Sequence, residues 1–125
     1  MKLEINMIVS DAKAAGDFYQ KVLQAKLISQ TDEETTMNET VMLLAGVEVR
    51  ILNENQGFGM FAPVEGAPVS MGINLYVDDI ESFFDNVIAE GCKAISPVQT
   101  FPDVPTKNAV ILDKFNHVWV INQHY

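Results

Sequence analysis

Few side chains in this sequence are equipped for chemistry. The histidines are His117 and His124, and the one cysteine is Cys92. His117 lies in the turn before Val118-Trp119 and reads as a structural hydrogen-bonding residue. His124 adjoins the C-terminus, where a fraying end is expected. Cys92 follows Gly91 at a helix-to-strand turn, in apolar surroundings with no neighbouring histidine, so it reads as an inert small side chain. A Ser-centred nucleophile elbow, a phosphate-cradling glycine loop and a dinucleotide fingerprint are all missing from the sequence. Glu48 and Arg50, two apart in "VEVRIL", share one face of a strand. They can pair with each other or contact a ligand. No residue is assigned a catalytic role.

The elements that would position these residues come from a repeat. "INMIVSDAKAAGD" at residues 5–17 recurs without a gap as "INLYVDDIESFFD" at 73–85, keeping Ile5/Ile73, Asn6/Asn74, Val9/Val77, Asp11/Asp79 and Asp17/Asp85. In each copy apolar residues first alternate with period two. Ile5, Met7 and Val9 alternate with Glu4, Asn6 and Ile8; Ile73, Leu75 and Val77 alternate with Gly72, Asn74 and Tyr76. That predicts a strand with one aliphatic face and one mixed polar face. Asp11 and Asp79 are N-cap residues, and helical spacing follows at Ala15, Phe18, Tyr19 and Val22, and at Ile80, Phe83, Phe84 and Val87. Helices are expected near 11–24 and 79–90, the second stopped by Gly91. Strands then follow at 26–30, 39–44 and 47–52, and at 93–95, 108–112 and 117–121. The unit is βαβββ, written twice.

Length and composition fit one domain of 125 residues, with module one at about 1–54, a linker at about 55–70 and module two at about 71–125. The linker is rich in Gly and Pro but carries Phe58, Met60 and Phe61, more apolar than a tether requires. These residues either pack over the core or line a lid or subunit contact. The longest apolar runs are far too short to span a bilayer, and the lone cysteine agrees with a reducing compartment. A cytoplasmic protein with no membrane association is expected. Seventeen acidic against eight basic residues, net −9, argue against nucleic acid, whose binding rests on Lys and Arg neutralising phosphates.

Three stretches carry a family resemblance: "VSDAKAAGDFYQKVLQAKL" at 9–27, "YVDDIESFFDNVIAEGCKAISP" at 76–97 and "LDKFNHVWVI" at 112–121. In this order they resemble the glyoxalase / bleomycin-resistance / extradiol-dioxygenase (vicinal oxygen chelate) superfamily, the ending being most similar to its PhnB-like branch. Lys114 stands where that family has Pro and Asn116 where it has Gly. The resemblance implies an α+β fold: duplicated βαβββ modules forming a curled mixed sheet with a central cavity, helices on the outer face. It places Glu4, Asn6, Glu48, Arg50, Asn74, Tyr76 and Asn122 on the cavity side, together with Val118 and Val120. His117 and Trp119 would turn to the helices, as would Ile5, Met7 and Val9.

The family's metal-dependent members take their ligands from fixed strand positions. Here those positions hold Glu4, Gly72, Arg50 and Val120, one usable donor among four, so no metal and no cofactor are expected. The function implied is metal-free binding of a small, cationic organic molecule between the modules, in the manner of the dimeric, acidic bleomycin-resistance members. The alternative is a divergent metal-dependent lyase, isomerase or dioxygenase of the same superfamily. A homodimer is expected by the same likeness.

Overall fold

A computed structural model describes residues 1–31 and 38–125. The chain divides into two compact units, Met1–Pro63 and Val64–Tyr125. The first runs β1 (Asn6–Val9), α1 (Ala12–Val22), β2 (Lys26–Gln30), β3 (Glu39–Leu44) and β4 (Val47–Asn53), and ends in a short 3-10 turn at Gln56–Phe58. The second runs β5 (Ile73–Tyr76), α2 (Ile80–Ala89), β6 (Lys93–Phe101), β7 (Val104–Leu112) and β8 (Val118–His124). Each unit is a four-stranded mixed sheet carrying one helix, an α+β arrangement of two βαβββ modules. The strand orders are β1-β4-β3-β2 and β5-β8-β7-β6. The parallel pairs are β1 with β4 and β5 with β8; the other neighbours are antiparallel.

The helix starts repeat in detail. Asp11 and Asp79 are the N-caps, and their carboxylates accept from the backbone N–H of Ala14 and Ser82, each at 3.1 Å. A second orphan donor of each helix is met from across the sheet. Ala12 N–H donates to Asn53 Oδ1 at 2.7 Å and Ile80 N–H to Gln123 Oε1 at 2.8 Å. A side-chain amide at the end of the parallel partner strand thus fixes where each helix leaves its sheet.

Period-two alternation decides which sheet face the helix covers. In the first unit Met7, Val9, Thr40, Met42 and Ile51 are buried together with Ala15, Tyr19 and Val22 of α1. Each fully buried large side chain here contributes roughly 1.5–3 kcal/mol. Helix and sheet approach so closely at Gly16 that an added Cβ would stand 2.7 Å from Thr40 Cγ2. In the second unit Ile80 and Val87 of α2 are buried, as are Ala109, Ile111, Trp119 and Ile121.

Three expectations are corrected. Ile5 precedes β1 and is 45% exposed, because the parallel pairing with β4 starts only at Asn6–Arg50. The β6–β7 hairpin is much longer than Lys93–Ile95 and Asn108–Leu112. Pro97 is accommodated on an edge strand whose register shifts between Ser96 and Gln99, so it does not end the strand. His124 does not fray: β8 extends through it, opposite Thr106.

Candidate functional site

The turn at Asp113–His117 is structural. The buried Asp113 carboxylate accepts from the backbone N–H of Phe115 (2.8 Å) and His117 (3.0 Å) and from Trp119 Nε1 (2.8 Å). Asn116 takes φ +69, the left-handed region that Asn tolerates better than most residues, so it serves where the family has glycine. The backbone N–H of His117 therefore belongs to the turn's hydrogen bonds, and Trp119 lies buried on the helix side. Cys92 is also buried, and its thiol is pushed up to about 11 by burial and by the negative charge of Asp113. A buried thiol held in its neutral form is not poised to react.

The sheet face opposite α1 carries the ionic groups of the first unit. Asn6 and Arg50 are register partners, and Glu4, Glu39 and Glu48 share their face. Arg50 is clamped. Its Nη1 reaches Glu4 Oε2 at 2.6 Å, while Nη2 and Nε grip the two oxygens of Glu39 at 2.7 and 3.0 Å. Lys2 Nζ adds a 3.1 Å contact to the other Glu4 oxygen. Hydrogen bonds from Lys2 and then Arg50 lower the pKa of Glu4, and Glu39 first, then Glu4, raise that of Arg50. A pocket of ≈ 170 Å³ opens beside this clamp, lined by Leu3, Glu4, Ile5, Val47, Glu48 and Arg50 with Lys2. Glu48 makes no ion pair among the described residues, so Arg50 does not pair with it. Glu39, missed in the sequence, carries a legible signal. Counting back from the Ala45-Gly46 turn sets Val41 opposite Arg50 and Glu39 diagonal to it.

In the second unit the face opposite α2 carries Lys93 at its Leu112–Val118 end, paired with Glu65, and uncharged side chains around Asn122. Asn122 is buried and its Nδ2 donates to Asn74 Oδ1 at 3.3 Å. Tyr76 is the register partner of Asn122 and stacks on His124 with ring centroids 4.8 Å apart and planes at 18°. Val118 and Val120 are half-buried on the same face. The structure therefore brings Glu4 and Arg50 together beside Glu48, and Asn74, Tyr76 and Asn122 together. Asn6, the repeat partner of Asn74, is exposed and keeps no equivalent amide contact among the described residues.

The residues at the family's metal-ligand positions do not fit a divalent cation. Glu4 is spent on Lys2 and Arg50, Arg50 is itself cationic, and Gly72 and Val120 offer no side-chain donor. Among the described residues no group of three or more His, Cys, Asp or Glu is placed to hold a metal ion.

Residues 3–121 match the Glyoxalase/Bleomycin resistance protein/Dioxygenase superfamily, and the chain belongs to that family. The fold recurs in TioX from Micromonospora sp. ML1, with 18% identity, TM-score 0.73, and 100% of this chain and 99% of that one covered. It recurs in the fosfomycin resistance protein FosX from Listeria monocytogenes complexed with Mn(II) and sulfate (16%, TM-score 0.75, 100% and 90% covered). A third similar structure is the hypothetical protein SA1046 from S. aureus (16%, TM-score 0.70, 98% and 96% covered). These likenesses are of fold. Among curated proteins none matches the chain. No helix among the described residues is long and apolar enough to cross a membrane.

Proposed function

We propose that this protein is a metal-free small-molecule-binding member of its family, and that its ligand is an organic cation with an apolar body. The observation that supports this reading is the pairing of Arg50 with both Glu4 and Glu39, beside a Glu48 that is left without an ion pair. Lys2 and Arg50 stand against the three carboxylates of Glu4, Glu39 and Glu48, so the balance of charge at the pocket is one carboxylate. Leu3, Ile5 and Val47 supply apolar wall. An ammonium or amidinium against Glu48 gains a charge-assisted hydrogen bond, and the net charge of −9 speeds its approach. The ligand-bearing form is proposed to be a homodimer.

Thermal-shift measurements with spermidine, benzylamine, acetate and Mn(II) test the reading. The amines are expected to raise the melting temperature, less so at high salt and not at all in Glu48→Gln. Stabilisation by Mn(II) alone would overturn the metal-free reading. Stabilisation by acetate that disappears in Arg50→Ala would overturn the charge preference.

A further inference from the structure

Around Asn122 the face of the second unit opposite α2 is lined by uncharged polar and aromatic side chains, unlike the ionic pocket of the first unit. Register partners on neighbouring strands point the same way, and one continuous row crosses all four strands: Gln99, Asn108, Asn122 and Tyr76. The next row pairs Thr106 with His124, which carries the stack on Tyr76. No Asp, Glu, Lys or Arg stands in these rows. A carboxylate ligand would find no cation here, and an ammonium no counter-charge, so either would lose hydration without compensation.

The hydrogen-bond inventory is more specific. Both hydrogens of Asn122 Nδ2 are used, one by Asn74 Oδ1 at 3.3 Å and one by the backbone carbonyl of Val120 at 3.2 Å. Asn122 Oδ1 is left as an acceptor, and Asn74 Nδ2 as a donor, without partners among the described residues. An acceptor and a donor on two side chains that are hydrogen-bonded to each other can complement a carboxamide or lactam edge. Beside them Tyr76 remains 58% exposed although it stacks on His124, which offers ring surface to a planar group.

We infer that this face binds an uncharged planar carboxamide, lactam or heteroaromatic ring, its donor–acceptor edge on Asn74 and Asn122 and its plane on Tyr76. The inference rests on the small-molecule-binding reading but on residues separate from Glu48. The test is NMR titration of the ¹⁵N-labelled full chain with benzamide, benzylamine and benzoate. Benzamide is expected to shift the side-chain amide signals of Asn74 and Asn122 and the backbone signals of Tyr76 and His124. Its affinity should fall about fivefold in Asn74→Ala, the scale of one lost neutral hydrogen bond. It should fall in Tyr76→Leu and persist in Tyr76→Phe, all three variants keeping the far-UV circular dichroism of the parent. Equal shifts with benzoate, or undiminished benzamide affinity in Asn74→Ala, overturn the inference. So does silence of these signals toward benzamide. If benzylamine still perturbs Glu48 in that case, the cation-binding reading stands without this one.

Discussion

Arg50 holds two carboxylates at once, and the geometry sets its titration. Glu4 is more acidic when folded because Lys2 and Arg50 donate to its charged form. The sign follows: the pair stabilises the fold above the ordinary carboxylate range, and that contribution disappears as pH falls through the lowered folded value. NMR titration should show the Glu4 pKa moving up in Lys2→Ala and again in Arg50→Gln. An unmoved value in both would show that the carboxylate is not engaged in solution. These groups are partly exposed, so the effect belongs to the titration of the pocket more than to global stability.

At the scale of elements the tightest joint is α1 against β3. Thr40 is buried, accepts from Gln30 Nε2 and donates from its hydroxyl to the Ala12 carbonyl, while its methyl lies where a side chain at Gly16 would have to go. Replacing a mid-helix glycine by alanine ordinarily gains up to about 1 kcal/mol. Overpacking against a fixed neighbour costs about 1–3 kcal/mol, so here the clash wins. Gly16→Ala should melt a few degrees below the parent, and adding Thr40→Ser, which deletes the offending methyl, should recover part of that loss. A melting temperature at or above the parent's for Gly16→Ala alone would contradict the packing described.

The molecule as a whole displays an apolar knob. Paired backbone bonds between Asn55 and Met60 (2.8 and 3.0 Å), with Gly59 at φ +74, hold a tight turn. Phe58 at that turn is 73% exposed and Phe61 just beyond it 60%. Neither ring packs over the core, whereas Met60 between them is half-buried, so a lid or a subunit contact is the expectation that fits the two phenylalanines. An acidic chain repels its copies, so association must come from apolar area of this kind. Light scattering at micromolar concentration should return twice the chain mass, and Phe58→Ser combined with Phe61→Ser should return the chain mass. A single-chain mass for the unsubstituted protein would remove the dimer.

The two strand-to-helix joints were legible from residue order alone. A switch from period two to 3.6 across an aspartate is a local signal, and both helices lie within one or two residues of where it puts them. Sheet faces were equally legible, since alternation sorts Met7 from Asn6 and Trp119 from Val120 whatever the strands pair with. Everything that depended on pairing between distant residues was decided by the tertiary structure. Asn53 and Gln123 became helix caps only through the parallel registers of β4 on β1 and β8 on β5. Arg50 acquired Glu4 through a strand pair that joins opposite ends of its module, whereas Glu39 faces it across a local hairpin whose turn the sequence already marks. His124 is an ordered residue because β7 and β5 reach it, a property that no reading of the terminal residues themselves contains. Local propensity determines the elements; the partner of a polar side chain is set by register, and register is a property of the folded sheet.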